Sequence, residues 1–275
     1  MTNIAKAAVL LLTFLAAIAA GGRSVLAQSS GSVVELETPL AASPPRHGFL
    51  RLPNRAGPWP AVVLLHSCNG DFRRLDERWG RLIASWGYVT LAVDNSLKST
   101  CSNAAVDLAR DAYRALDFLV QQQAVDPARV VALGFSQGGW LALSSVERGP
   151  TERFATNKFR AAAAFYPPCR HIKGNMTVPT LILVGERYDW ALASECRNLA
   201  EGNDDYGVSR QKGQGVPIKL IVLAGAYHAF DAPNRTTPIN FLGHRLEFSQ
   251  AATDLSVIAL REFLDATTGD TGSTK

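Results

Sequence analysis

The sequence has few cysteines, little net charge and no long run of apolar residues. Its 275 residues include four cysteines, too few for a small domain held together by disulfides, and none forms the Cys-x-x-Cys pair of zinc ribbons and redox motifs. The formal charge of +4 does not indicate nucleic-acid binding, which usually needs a clustered basic surface. No apolar stretch reaches the roughly 20 residues that a membrane-spanning helix needs.

The composition is that of a folded globular protein. Apolar residues make up 47% of the chain and charged residues 19%, which excludes a disordered chain and allows a substantial core. The 22 glycines and 14 prolines are ordinary amounts and show no repeat. The length fits one large domain or two small ones.

The N-terminus has the features of a secretory signal peptide. Lys6 gives a positive start, residues 7–20 are apolar or small apart from Thr13, and Val25-Leu26-Ala27 resembles a small-x-small cleavage site. An uncleaved anchor is the alternative. Cleavage after Ala27 would remove two basic residues and no acidic one, so the net charge would fall to +2. We therefore expect export to the periplasm or the medium, with residues 1–27 removed, residues 28–275 as one domain and no stable membrane insertion.

Export would place the four cysteines in an oxidising compartment, where disulfides persist. Pairing of neighbours along the chain is the preferred arrangement, and free buried thiols are the alternative. The two predicted pairs are Cys68–Cys101 and Cys169–Cys196.

Short apolar runs alternate with helical patterns along the chain. Runs of four to six residues without polar alternation are typical of strands buried on both faces of a parallel sheet. The predicted strands are 61–65, 89–93, 130–133, 161–165, 180–184 and 218–223, with possible antiparallel edge strands at 33–38 and 48–52. Helices are predicted over 104–123 and after a possible N-cap at Ser249, where Ala251, Leu255, Ile258 and Phe263 would form the apolar face. This order predicts an α/β fold with a mostly parallel sheet and helices on both faces.

A candidate nucleophile lies in the segment Gly134-Phe135-Ser136-Gln137-Gly138-Gly139. The segment follows a predicted buried strand and precedes the apolar stretch 140–146, which is the strand–turn–helix context of a nucleophile elbow. Because such a turn strains the serine backbone, its neighbours must be small, as Gly134 and Gly138 are. We therefore predict that Ser136 is a catalytic nucleophile.

A serine hydroxyl needs a base, and the base needs a group that orients it. In α/β-hydrolases the order along the chain is Ser, acid, His. His228 follows the last long predicted strand and satisfies this order, whereas His171 precedes any suitable acid and His244 lies in a polar stretch with no strand before it. After strand 180–184, Asp189 is the preferred acid and Glu186 the alternative.

A tetrahedral intermediate also needs backbone N–H donors. One is predicted to be the amide of Gln137, at the start of a helix whose dipole favours negative charge. The second is expected from the loop after strand 61–65, with Cys68 or Ser67 supplying the N–H.

The chain resembles the dienelactone hydrolase family of α/β-hydrolases in a series of ordered segments. The match extends over about residues 47–265. The matching segments are Leu65–Gly70, Trp86–Val89, Val125–Pro127, Gly134–Trp140, Ala164–Pro167, Asp189-Trp190 and Ala226–Asp231. The resemblance implies carboxylic-ester chemistry.

The chain departs from the family pattern in three places. The namesake enzymes use a cysteine nucleophile, whereas Ser136 stands here, as in esterase-like members. They hold the substrate carboxylate with arginines, but no arginine comes directly after His228, and Arg235 is seven residues on. The loop to the acid is one residue longer than the usual Gly-x-x-Asp, so Tyr188 occupies the position where the acid often stands.

These features predict an exported serine hydrolase that cleaves esters or lactones of small molecules through an acyl-enzyme. No metal or organic cofactor is expected. A peptidase or acyltransferase on the same fold and an exported binding protein are the alternatives. The sequence leaves the substrate, the oligomeric state and the role of the polar loop 201–215 open.

Overall fold

Strands of the central sheet alternate with helices along most of the chain. The computed structural model describes residues 30–36, 46–54, 57–68, 70–94, 105–203 and 214–269. The predicted signal peptide, Cys101 and most of loop 201–215 lie outside these residues. In the described ranges the strands are β1 Ser30–Leu36, β2 Arg46–Leu52, β3 Trp59–Leu65, β4 Val89–Val93, β5 Val125–Phe135, β6 Ala161–Phe165, β7 Thr180–Gly185, β8 Ile218–Leu223, β9 Ile239–Phe241 and β10 His244–Leu246.

The helices follow the strands in βα order. They are α1 Phe72–Leu75, α2 Arg81–Ser85, α3 Ala105–Val120, α4 Gln137–Val146, α5 Pro150–Phe154, α6 Ala193–Glu201 and α7 Gln250–Thr268. A π-helical turn, Asp76–Gly80, joins α1 to α2, and a single 3₁₀ turn spans Pro233–Arg235.

Strands β1 to β8 form one sheet in the order β1-β2-β4-β3-β5-β6-β7-β8. The pairs β1–β2 and β2–β4 are antiparallel, and all later pairs are parallel. All residues of β4 and β6 are buried, which requires cover on both faces of the sheet. Helices α3 and α4 pack on the central strands and on each other, and α7 contacts β5 and β7. The predicted fold class is confirmed.

Three local expectations were wrong. Strand β2 lies between β1 and β4 and is therefore not an edge strand. A strand does precede His244, because β9 and β10 form a short hairpin that ends with His244–Leu246. In α7, Leu255 and Ile258 are 57% and 56% exposed, whereas Phe263 is buried as expected. The other buried residues of α7 include Ala252, Ser256, Ala259, Leu260 and Leu264.

The cap of α7 agrees with the prediction. The Ser249 hydroxyl accepts a hydrogen bond from the backbone N–H of Ala252 at 3.3 Å. No helix among the described residues is both long enough and apolar enough to cross a bilayer.

Candidate active site

Ser136 occupies a sharp turn between β5 and α4. Its backbone angles, φ 53° and ψ −117°, are strained for a residue with a side chain, and its N–H donates to the Phe165 carbonyl at 2.9 Å. A Cβ at Gly134 would lie 1.9 Å from the Gly138 carbonyl oxygen, so only glycine permits the turn. Ser136 lines a cleft at the carboxyl end of the sheet, as expected for a nucleophile elbow.

The start of α4 lies directly against the end of β3. A Cβ at Gly138 would lie 2.1 Å from the Leu65 carbonyl oxygen, so the two backbones are in close contact. Gln137 is the first residue of α4, where a backbone N–H has no partner within the helix. Cys68 follows β3 and lines the same cleft as Ser136. The two predicted N–H donors thus come from segments that meet beside Ser136.

His228 follows β8 and lines the same cleft as Ser136. Its side chain is buried, and its Nδ1 atom has no hydrogen-bond partner among the described residues. Burial is the main cause that lowers the pKa of His228 to about 3, and the positive charge of Arg235 adds to it. The imidazole is therefore neutral at pH 7.

Aromatic rings surround the imidazole. Tyr188 stacks on it with centroids 4.7 Å apart and an interplanar angle of 24°. Tyr166 meets it edge to face at 4.7 Å, and Trp190 lies at 5.8 Å. We refer to Tyr166, Tyr188 and Trp190 as the aromatic box.

In the structure the Asp189 carboxylate is paired with His244 rather than with His228. The Asp189 carboxylate lies 3.6 Å from Nδ1 of His244 and accepts the backbone N–H of Arg245 at 3.1 Å. Its negative charge still raises the pKa of His228, against the larger effect of burial. Glu186, the alternative acid, accepts the backbone N–H of Gly225 at 2.9 Å. The predicted carboxylate–imidazole hydrogen bond is thus not formed within the described part of the chain.

Asp231 fixes the Tyr166 side of the aromatic box. This buried carboxylate accepts the Tyr166 hydroxyl at 2.6 Å and the Trp79 indole N–H at 2.8 Å, and it pairs with Arg78 at 3.1 Å. Burial raises the pKa of Tyr166 well above its usual value, and the Asp231 charge adds to this effect. The Tyr166 hydroxyl therefore stays protonated as a donor.

Sequence reasoning missed the aromatic box. The signals were present, because Tyr188 stands at the usual position of the acid and Tyr166 directly follows β6.

A disulfide links Cys169, after β6, to Cys196 in α6, which confirms one predicted pair. Cys68 is also disulfide-bonded, but its predicted partner, Cys101, lies outside the described residues.

The cleft has a volume of 740 Å³, within the range of small-molecule sites. Its lining includes both charged residues and aromatic or aliphatic ones. The charged residues are Asp71, Arg74, Glu77, Arg78, Asp231 and Arg235. The aromatic and aliphatic residues include Phe135, Tyr166, Trp190, Phe241 and Leu246.

Solved structures with the same fold include several hydrolases. A dienelactone hydrolase-like promiscuous phosphotriesterase from metagenomic libraries, P91, has a TM-score of 0.64 at 19% identity, covering 88% of this chain and 100% of its own. Esterase 2 of Thermogutta terrifontis has a TM-score of 0.65 at 19% identity, covering 91% and 96%. A dienelactone hydrolase of Anabaena variabilis has a TM-score of 0.63 at 18% identity, covering 88% and 99%.

A comparison with curated protein sequences finds no significant match. The profile of the dienelactone hydrolase family matches residues 47–266, which is most of the chain and includes Ser136 and His228. The chain therefore belongs to the dienelactone hydrolase family and is a carboxylic ester hydrolase.

Proposed function

We propose that this protein is an exported serine hydrolase that cleaves esters or lactones of small molecules through an acyl-enzyme. The observation that carries the proposal is the strained backbone of Ser136 at the start of α4, in the cleft that His228 also lines. A strained residue at a cleft is a frequent mark of a catalytic site.

His228 acts as the general base. At neutral pH its imidazole is uncharged, because burial depresses its pKa, so it can accept the Ser136 hydroxyl proton as the oxygen attacks the ester carbonyl. The imidazolium then donates this proton to the leaving alcohol. In the second half of the reaction His228 removes a proton from water, the hydroxide attacks the acyl-enzyme, and Ser136 recovers its proton as the acid leaves.

The backbone amides of Gln137 and Cys68 stabilise the oxyanion of each tetrahedral intermediate. The position of Gln137 at the start of α4 and the close contact of α4 with the end of β3 support this assignment. Each step uses groups of the chain and water.

Asp189 contributes its charge without a hydrogen bond to the base. Its negative charge stabilises the imidazolium without direct contact, and for the same reason it raises the pKa of His228. The orientation of the ring comes instead from the aromatic box, with Tyr188 against one face and Tyr166 edge to face. The base is thus held by packing.

Active-site labelling tests this proposal. A fluorophosphonate should form a covalent adduct on Ser136 of the folded protein, and Ser136→Ala should lose both the adduct and ester turnover. Ser85→Ala, on an exposed position of α2, is the matched control and should keep both. Absence of an adduct from folded wild-type protein would overturn the proposal.

Export is the second part of the proposal. The signal-peptide features of residues 1–27 and the Cys169–Cys196 disulfide support it, since disulfides persist in oxidising compartments. The intact mass of protein expressed with its own N-terminus should correspond to one domain of residues 28–275. Retention of residues 1–27 in the cytoplasmic fraction would contradict export.

A further inference from the structure

Four apolar side chains lie exposed beside the cleft. Trp190, Ile239 and Phe241 are 38–40% exposed, and Leu242 is 72% exposed. Trp190 follows β7, and the other three belong to the β9–β10 hairpin. We refer to these four residues as the apolar rim. Clustered exposed apolar side chains on a soluble domain frequently mark a binding surface.

Leu242 adopts a backbone conformation that its side chain disfavours. It has φ 53° and is followed by Gly243 at φ 87°, so the hairpin turns through two residues in the left-handed region. Turns of this kind favour Asn-Gly or Asp-Gly, and leucine pays a steric cost there. Because the Leu242 side chain is mostly exposed, it buries little surface that would offset this strain in the folded protein. The strained conformation therefore indicates a role in binding.

The apolar rim continues into the cleft. Trp190 and Phe241 line the cleft together with Ser136, and their ring centroids are 5.8 Å apart. Trp190 also lies 5.8 Å from His228. A ligand that places an apolar group on the rim would therefore also extend into the cleft towards Ser136 and His228.

The hairpin is fixed relative to the base. His244 stacks on Trp190 at 4.8 Å, and the backbone N–H of Arg245 donates to Asp189. Leu246 forms an isolated β-bridge with His228. These contacts hold the rim in place before a ligand binds, which lowers the entropic cost of binding.

We propose that the apolar rim binds an aromatic group of the ester substrate, so that the preferred substrates are esters bearing a ring a few bonds from the reacting carbonyl. This inference rests on the proposed function and specifies its substrate class. The half-exposed rings of Trp190 and Phe241 offer faces and edges for aromatic packing.

Two pairs of esters test the proposal. One pair is the ethyl esters of propanoate and of phenyl-terminated propanoate, and the other is propyl acetate and phenyl-terminated propyl acetate. Within a pair the phenyl group is remote from the reacting carbon, so intrinsic reactivity is similar. In at least one pair the phenyl-bearing ester should have a kcat/KM about tenfold higher, which corresponds to about 1.4 kcal/mol.

Variants of the rim should reduce this ratio. Phe241→Ala and Trp190→Ala should bring it to within about twofold of unity, because each removes a packing face. Leu242→Asn should also lower the ratio while leaving the protein at least as stable, since asparagine tolerates the left-handed region. If Leu242 only shapes the turn, Leu242→Asn should leave the kcat/KM ratio within each ester pair unchanged. Phe154→Ala, an aromatic truncation on α5 at a position that is 81% exposed, should leave the ratio unchanged.

Two results would overturn the proposal while leaving the proposed function intact. The first is a ratio near unity for both pairs in a wild-type enzyme whose turnover depends on Ser136. The second is a dimer by light scattering that Leu242→Asp dissociates, which would assign the rim to a second copy of the chain. Turnover that survives Ser136→Ala would instead contradict the proposed function itself.

Discussion

The imidazole of His228 stacks on the phenol ring of Tyr188, with centroids 4.7 Å apart and planes 24° from parallel. In a Ser-His-Asp triad the histidine is oriented by a carboxylate on Nδ1. Here Nδ1 has no hydrogen-bond partner among the described residues, and the nearby carboxylate of Asp189 faces His244. The position of the imidazole therefore depends on the aromatic box.

Removing the Tyr188 ring should impair turnover. Tyr188→Leu leaves the imidazole free to tilt, and small misplacements of a catalytic group cost up to about a hundredfold in rate. We expect kcat to fall by about ten- to a hundredfold with a smaller change in KM. Tyr188→Phe should recover most of the loss because it restores the ring. Steady-state kinetics on a para-nitrophenyl ester measure both effects.

Tyr113→Leu is the matched control for this series. Tyr113 is also a buried tyrosine, but it belongs to α3 and packs on Phe159. Its replacement should lower stability without lowering kcat per folded molecule. If Tyr188→Leu and Tyr113→Leu have the same kcat, the ring does not position the base.

A carboxylate at position 188 should raise the pKa of His228. Tyr188→Asp brings a negative charge against a buried imidazole, and an opposite charge favours the imidazolium. The acid limb of the kcat/KM profile reports this pKa in the free enzyme, so it should move to higher pH. The charged and titratable groups that act on His228 are Asp189, Arg235 and His244.

Tyr188→Asn is the control for shape, since it lacks the charge. The acid limb of its kcat/KM profile should lie at lower pH than that of Tyr188→Asp. Coinciding profiles for the two variants would show that position 188 does not act on His228 through charge.

Replacing Asp189 should have a modest effect. Converting the acid of a hydrogen-bonded triad to its amide lowers kcat by about 10⁴. Asp189 acts on His228 through space only, so Asp189→Asn should lower kcat by less than about tenfold. A loss of a thousandfold or more in kcat would mean that Asp189 turns away from His244 and bonds to His228 during catalysis.

The sequence was sufficient to predict the sheet and the sharp turn that carries Ser136. Strands such as β4 and β6 are buried on both faces, so their apolar runs are continuous and coincide with the observed bounds. The turn at Ser136 was identifiable because it needs glycines at fixed positions, and this local steric requirement is visible in the sequence.

Side-chain partners were harder to predict, because they depend on three-dimensional packing. Asp189 and Tyr188 are adjacent in sequence, yet one faces His244 and the other stacks on His228. In α7 the small residues Ala252 and Ser256 face the sheet, whereas the larger Leu255 was expected there. Hydrophobicity alone does not show how closely a helix approaches its neighbours.

Stability should depend on pH through His228. Its pKa is about 3 in the folded protein and about 6.5 in the unfolded chain. Between these values the unfolded chain binds one proton more, so stability falls as pH decreases, by about 1.4 kcal/mol per pH unit. Above pH 7 His228 is unprotonated in both the folded and the unfolded protein, so its contribution to stability no longer changes with pH.

Urea unfolding of wild-type protein and His228→Gln between pH 4 and pH 8 isolates this contribution. The difference in unfolding free energy between the two proteins should change with pH below about 6.5 and stay flat above it. A difference that is independent of pH would show that the His228 pKa is the same in both states. Carboxylates titrate in both proteins, so their effects cancel in the difference.

The Cys169–Cys196 disulfide should affect both stability and catalysis. It closes a loop with a sequence separation of 27 residues, and the chain-entropy relation gives about 3–4 kcal/mol for such a loop. Cys169 follows Tyr166 by three residues, and Cys196 lies in the helix after Tyr188. The bond therefore joins the two segments that carry the tyrosines of the aromatic box.

The double variant Cys169→Ser/Cys196→Ser should lose stability by this amount in urea unfolding. Well below its melting temperature it should also show a lower kcat, because the two segments can move relative to each other and loosen the packing around His228. The Tyr166 hydroxyl bond to Asp231 remains, so the loss of kcat should be smaller than in Tyr188→Leu. A double variant with reduced stability but unchanged kcat would limit the disulfide to a folding role.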